Sequence, residues 1–282
     1  MTNIAADAKF ALQVRNLRVS YRSDNGPVEI VHGIDLDVLE GKTLGLVGES
    51  GSGKSITGKA VMGLLGRRMF DITADKLEVA GTETTPNSPK LTPGAAMIFQ
   101  NPFTSLNPSF TVGDFLTDVI RHRHGLKGAA AKKRALELLD AVRIPDAARK
   151  LRSYPHQMSG GQQQRVVIAV ALALEPRVLI ADEPTTALDV TVQAKIIELL
   201  NELQKEHGMG MVFVSHDLSL VSDIADSVAV MYRGKIVERG DWGLMTGAAQ
   251  HPYTKMLLAS SPSVRVRSQR LSVSWDFEEE LV

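Results

Sequence analysis

The chain has no cysteine among its 282 residues. Disulfides, thiolate zinc sites and cysteine-ligated iron–sulfur clusters are therefore excluded, and the absence fits a reducing cytoplasm. Net charge is also missing: Lys plus Arg and Asp plus Glu number 32 each, so no overall field draws the protein to nucleic acid or anionic lipid. Long hydrophobic runs are lacking too. The longest strongly apolar stretch, Val166 to Leu174, spans nine residues and is closed by Glu175, whereas a membrane-crossing helix needs roughly twenty. The opening residues MTNIAADAKF have neither the basic start nor the apolar core of a signal peptide. The expectation is that, if this chain works at a membrane, another chain does the crossing. What is present is ordinary for a globular protein: 44% apolar and 23% charged residues, with room for one large domain or two small ones.

Five short apolar runs read as buried parallel strands ending at polar or glycine-rich turns. They are Thr43 to Val47, Ala96 to Phe99, Val178 to Ala181, Met211 to Val214 and Ser227 to Tyr232. Helical patterns lie between them at Ser55 to Leu65, Ala129 to Val142, Gly161 to Leu174 and Val190 to His207. This alternation predicts a doubly wound α/β sheet. Ligands of such sheets bind beyond the carboxyl ends of the strands, and four of the five runs carry a candidate functional residue there. Two regions break the pattern. Residues 10 to 40 and roughly 70 to 90 carry β signals, such as the alternating Ile34-Asp35-Leu36-Asp37-Val38, and predict a small antiparallel sheet at one side. Residues 101 to about 157, broken at Pro102, Pro108, Pro145 and Pro155, predict an inserted helical subdomain, and Gly81 to Pro93 reads as an exposed loop.

Residues 48 to 55 read GESGSGKS and fit G-x-x-x-x-G-K-[ST] at every specified position. Gly48, Gly51 and Gly53 let the backbone bend so that successive N–H groups face phosphate oxygens, and the following helix adds its positive end. Lys54 can reach the outer phosphates, and Ser55 offers a hydroxyl to Mg²⁺. At the exit of the run from Val178, Asp182 fits a metal-holding role and Glu183 that of a base orienting water. An acidic pair after a strand is by itself a weak signal; the phosphate loop upstream makes the functional reading the better one. His216, in Ser215-His216-Asp217, is by itself better read as a capping or hydrogen-bonding residue than as a catalytic one. Gln100 is ambiguous alone, and Tyr21 fits core packing as well as base stacking.

The ordered set GESGSGKS, Gln100, MSGGQ, LIADEP, Ala187-Leu188-Asp189 and His216 resembles the ATPase subunit of ATP-binding cassette (ABC) transporters, over roughly residues 10 to 245. QNPFTSLNP at 100 to 108, YPHQMSGGQQQRV at 154 to 166 and HPYTKMLL at 251 to 258 look like the dipeptide/oligopeptide/nickel importer branch. The resemblance implies a P-loop NTPase (RecA-like) α/β core, a helical subdomain at about 101–160 and a C-terminal extension at 246–282. It also implies roles for single residues. Tyr21 would stack on adenine. Gly48, Ser50, Gly51, Ser52, Gly53, Lys54, Ser55 and Ile56 would hold the phosphates of ATP. Asp182 and Ser55 would bind Mg²⁺, and Gln100 would touch Mg²⁺ or the attacking water and report to the membrane subunit. Glu183 would polarise water, and His216 would touch the γ-phosphate. Ser159, Gly160, Gly161 and Gln162 would contact the ATP of an opposite protomer, and Asp189 would link the two sites.

A physical reason supports that trans role. Ser159-Gly160-Gly161 precedes a helix and offers small residues and open N–H groups to an anion. One nucleotide needs only one phosphate loop, so this second anion site suits another nucleotide's γ-phosphate. Two chains placed head to tail would then sandwich two ATP molecules.

The implied partners are a second cassette, a paralogue by family habit, two integral-membrane permease subunits and an extracytoplasmic solute-binding protein. Nucleic acid is not expected, and the implied location is the cytoplasmic face of the cell (inner) membrane. Some features depart from the branch. Larger peptide-importer ATPases carry a C-terminal cysteine cluster that is absent here, the segment between Gly81 and Met97 is short, and Asn101 stands where Asp is frequent. The last two resemble nickel-type members. Two other classes compete with transport. ABC ATPases of translation commonly hold two cassettes, and those of DNA repair carry coiled-coil or zinc insertions; neither pattern is found. A GTPase would need a guanine-reading N-K-x-D string, which is absent, and neither a GTPase nor a small-molecule kinase has a use for MSGGQ. The stretch 263–282, with Arg265, Arg267 and Arg270 followed by acidic Glu278 to Glu280, is read as a solvated extension.

Overall fold

Alternating burial sets the first sheet. In the computed structural model, which describes residues 9–86 and 91–260, β1 (Phe10–Ser23) and β2 (Gly26–Leu39) form a long antiparallel hairpin. Leu12, Val14, Leu17 and Val19 on the first strand join Val31, Ile34, Leu36 and Val38 on the second in one apolar cluster. The chain then enters β3 (Thr43–Val47), buried at all five positions, and α1 (Lys54–Val61). It returns to the hairpin through β4 (Phe70–Thr73), β5 (Lys76–Val79) and β6 (Thr82–Glu83). The first sheet runs β2-β1-β5-β6, with β4 also pairing β1.

The second sheet takes the uninterrupted apolar runs. After β7 (Ala95–Ile98) come the helices α2 (Pro102–Ser105), α3 (Val112–His124), α4 (Gly128–Ala141), α5 (Ala147–Lys150) and α6 (Gly160–Leu172). Then follow β8 (Val178–Asp182), α7 (Val190–His207), β9 (Gly210–Ser215), α8 (Leu218–Ile224) and β10 (Ser227–Tyr232). The antiparallel edge strand β11 (Lys235–Asp241), α9 (Trp242–Ala248) and α10 (Pro252–Ser260) complete the described chain. The spatial order is β11-β10-β3-β9-β8-β7. β7, β8 and β9 are buried at every position, as expected of parallel strands covered on both faces. At Gly45 a Cβ would lie 2.6 Å from Val221 Cγ1, so the missing side chain lets α8 pack close against β3.

Local signals explain most boundaries. α7 begins where the Asp189 carboxylate accepts from Val192 N at 3.0 Å and stops at Gly208, φ 61°. α3 starts with a reciprocal capping box between Thr111 and Asp114. α1 ends at Val61 rather than the expected Leu65, because Gly63 turns to φ 70°. β7 stops at Ile98 and leaves Phe99 outside, and α6 ends at Leu172, two residues short of the expected Leu174. Within the expected loop at Gly81 to Pro93, Thr82 and Glu83 pair with Val79 and Glu78. The stretch 263–282 lies outside the described residues.

Candidate active site

The register of the parallel strands determines which residues meet. Val47 pairs with Ser215, Asp182 with Val214, and Ile98 with Ala181. The carboxyl ends of β3, β9, β8 and β7 are therefore level, and the residues after them share one edge. Gly48 follows β3, His216 follows β9, Glu183 follows β8 and Gln100 comes two residues after β7. These four line a cavity of about 580 Å³ together with Ser50, Gly51, Gly53, Lys54, Ser55 and Ile56. A larger cleft of about 750 Å³ lies among α3, α4 and the turn after α5, lined by Arg121, Lys127 and Arg152. It contains none of the expected site residues, so size alone does not choose the site.

The loop before α1 folds as its glycines require. Gly48 sits at φ 151° and Gly53 at φ 108°. A Cβ at Gly48 would fall 2.1 Å from the Met231 carbonyl oxygen, and one at Gly53 would fall 2.8 Å from Met231 Cε. The loop thus rests directly on the end of β10, which only glycine permits. Gly48→Ala is expected to lower the thermal midpoint by about 5–10 °C and to weaken nucleotide binding. A melting curve and a binding isotherm both matching wild type would contradict this close approach.

Lys54 Nζ lies inside the loop and donates to Gly48 O at 2.8 Å and Glu49 O at 2.7 Å. Burial pushes its ammonium below the usual lysine range, partly offset by the carboxylates of Glu183, Asp182 and Glu49. Burial likewise pushes the Asp182 carboxyl above its usual range, opposed by the Ser55 hydroxyl, which donates to Asp182 Oδ1 at 2.8 Å. The charged form of each group is penalised by burial and gains from an opposite charge. An anionic phosphate at Lys54 and a divalent cation at Ser55 and Asp182 would supply those charges. No cluster of three or more His, Asp or Glu side chains able to hold a metal is found among the described residues. That donor set fits Mg²⁺, which binds through one or two protein ligands plus substrate phosphates.

Glu183 is held at both of its carboxylate oxygens. Its Oε2 accepts from Gln100 Nε2 at 2.9 Å and from Thr186 Oγ1 at 2.9 Å, while Oε1 lies 3.1 Å from His216 Nδ1. Its own backbone adopts φ 46°, a region costing a bulky residue about 1–3 kcal/mol and found preferentially at functional sites. Among the described non-glycine residues with positive φ it alone lines the cavity.

The other expected residues lie elsewhere. Ser52 is buried beneath the loop, 3.4 Å from Lys54 Nζ, and does not line the cavity. Tyr21 stands on β1 opposite Val28, edge-to-face with Phe70 at 5.5 Å, also outside the lining set. Ser159 caps α6: its hydroxyl accepts from Gln162 N, and Gln162 Oε1 accepts from Ser159 N, each at 3.4 Å. Gly160, Gly161 and Gln162 form the first turn of that helix, away from the cavity. A Cβ at Gly161 would meet Val192 Cγ1 at 2.7 Å, so this turn lies against the start of α7, which Asp189 caps. Sequence reasoning missed Ile30, Glu49, Thr186 and Leu257 as lining residues. Thr186 was findable three residues after Glu183, and Leu257 lies within HPYTKMLL. Ile30 lies on β2 at a shift in the β1–β2 register, beside Gly53, where no local pattern announces it.

The chain is similar to known proteins in sequence and in fold. The family profile described as ABC transporter matches residues 31–186, more than half of the chain. The dipeptide transport ATP-binding protein DppD of Escherichia coli (strain K12) is 46% identical over 269 residues, covering 93% of this chain and 81% of that protein. The oligopeptide transport ATP-binding protein OppD of Bacillus subtilis (strain 168) is 45% identical over 258 residues, covering 90% of this chain and 72% of its own. Among solved structures, the ATP-binding cassette MJ0796, captured as a dimer in a post-hydrolysis state with ADP and Pi, superposes with a TM-score of 0.69 at 26% identity, covering 82% of this chain and 98% of its own. CbiO1 from Clostridium perfringens, part of the ABC transporter complex cbiONQ, superposes with a TM-score of 0.70 at 27% identity, covering 85% of this chain and 92% of its own. With the phosphate loop, the acidic strand end and the capped MSGGQ helix carried on this framework, the chain belongs to the ABC transporter family as one of its ATP-binding cassettes.

Proposed function

We propose that this chain hydrolyses ATP to power import of a small peptide through partner membrane subunits. The observation that carries the reading is the Glu183 carboxylate, fixed by Gln100, Thr186 and His216 over a glycine-lined phosphate cavity. The relatives named for dipeptide and oligopeptide transport support a peptide over a nickel chelate as cargo. No relative described above is named for translation or DNA repair.

In the reaction, loop N–H groups and Lys54 hold the phosphates, and Glu183 orients a water molecule toward the γ-phosphorus. The new phosphorus–oxygen bond forms as the bond to the bridging oxygen breaks; ADP leaves with that oxygen, and Glu183 accepts the water's proton. Ser55, Asp182 and Gln100 would hold Mg²⁺, which would supply charge neutralisation to the phosphates. His216 and Gln100 keep the carboxylate aimed. Ser159 to Gln162 and Asp189 serve a second cassette's nucleotide across a shared interface, and Tyr21 stacks on the base at the outer rim.

Residues 10–245 act as the cassette and 246–282 as an extension, with the helical subdomain, near residues 101 to 125, reaching two permease subunits fed by an extracytoplasmic solute-binding protein. The chain then sits at the cytoplasmic face of the membrane; no helix among the described residues is long and apolar enough to cross one.

Lys54→Ala tests the core of this reading. Removing charge-assisted bonds to the phosphates is expected to weaken ATP binding about 10- to 150-fold. Equilibrium titration with a fluorescent ATP analogue measures it, and an unchanged affinity contradicts the phosphate role.

A further inference from the structure

One part of the nucleotide cavity comes from the far end of the chain. Tyr253, on α10, is 1% exposed and is the largest of the fully buried side chains. Its hydroxyl oxygen accepts the Glu49 backbone N–H at 2.9 Å, and Glu49 is a residue of the phosphate loop that lines the cavity. On the same helix, Leu257 lines that cavity. The helix is anchored at its start, where the Glu238 carboxylate on β11 accepts from Gln250 N at 2.7 Å and His251 N at 3.1 Å. The Tyr253 ring lies tilted on Tyr232, with centroids 4.2 Å apart. The hairpin turn just beyond Tyr232 also grips the loop, since Gly234 N donates to Ser52 O at 2.9 Å.

The bond to Glu49 does something specific. Most N–H groups of a phosphate loop serve the anion, and a loop peptide is free to rotate unless its outer polar atoms are engaged. Tyr253 takes the Glu49 N–H outward. The Gly48 carbonyl, on the opposite side of the same peptide unit, is left directed at Lys54 Nζ, 2.8 Å away. One phenol thereby fixes a peptide that in turn positions the lysine. Burial pushes the Tyr253 phenol up to about 12, so it stays neutral and keeps this role throughout the physiological pH range.

The geometry points to Tyr253 as a positioning residue for the phosphate loop, and to α10, the core of HPYTKMLL, as a structural wall of the nucleotide site. The inference rests on the ATP-site reading above and extends it to the chain's C-terminal segment.

The test uses the full chain with Tyr253→Phe, which keeps the ring packing and removes only the acceptor. ATP affinity, read with a fluorescent ATP analogue, is expected to fall about 10-fold. In the assembled transporter, KM for ATP should rise by a similar factor with kcat within about threefold, and the thermal midpoint should drop by less than about 5 °C. Residue-resolved amide exchange supplies a readout independent of the variant's folding: in the wild-type chain without nucleotide, the Glu49 amide should be protected at least about 10-fold, and Tyr253→Phe should remove that protection. Wild-type nucleotide affinity in Tyr253→Phe overturns the inference, and so does an unprotected Glu49 amide in the wild-type chain. If the wild-type chain itself bound no ATP, the nucleotide reading would fall, while a protected Glu49 amide would still uphold the tyrosine–loop contact.

Discussion

Glu183→Gln is expected to bind ATP within about twofold of wild type and to hydrolyse it about 10²- to 10⁴-fold more slowly, the span that a general base contributes. The substitution is isosteric, and the surrounding bonds can survive it. The amide oxygen can accept from Gln100 Nε2 and Thr186 Oγ1 as Oε2 does now, while the amide nitrogen can donate to His216 Nδ1 in the tautomer where that atom is an acceptor. What is lost is the capacity to take a proton from water. Affinity and turnover should therefore separate, and an ATP-bound dimer should accumulate because closure still occurs while hydrolysis no longer reopens it. Phosphate release from the assembled transporter and gel filtration with ATP measure the two halves. Turnover near the wild-type rate assigns the base to another group and leaves Glu183 as a strained loop anchor.

The phosphate loop, the succession of apolar strands along the chain and the acidic pair were legible because each is local. A loop that cradles phosphate must have its glycines and lysine at fixed offsets, and buried parallel strands must be short apolar runs. β3, β10 and α7 accordingly have the boundaries their sequence suggests. α3 was hidden, although Thr111 and Asp114 form a capping box, because the Pro-containing stretch before it suggested breaks rather than a start. β11 was hidden behind Arg233-Gly234, a two-residue turn whose following Lys235-Ile236-Val237-Glu238 could have announced a hairpin. The remainder of the site depends on long-range contacts. Glu183 meets Gln100 across 83 positions of sequence, and Glu49 meets Tyr253 across 204. No period or spacing encodes such pairs; sheet order and register create them. For Tyr21 the sequence left core packing and base stacking both open, and no local pattern named Phe70 as the ring it rests on.

Ser159→Arg should separate the two anion sites. Within one chain, the α6 N-terminus does not line the phosphate cavity, so ATP binding by the isolated chain should stay within about twofold of wild type. The cap exchanged between Ser159 and Gln162 is lost, at a cost of about 1 kcal/mol in stability. The larger effect comes from a long cation placed where small residues and open N–H groups would otherwise meet a second nucleotide. ATP-dependent association with the partner cassette should disappear, and transporter-coupled hydrolysis should fall at least about 100-fold. Ser159→Ala separates capping from obstruction: it loses the same cap but leaves the space open, so it should retain most association. Sedimentation with ATP in the Glu183→Gln background, where closed dimers persist, gives the cleanest reading. If the Ser159→Arg dimer survives there, the α6 N-terminus is an ordinary helix start, and the second nucleotide contact must come from another surface of the cassette.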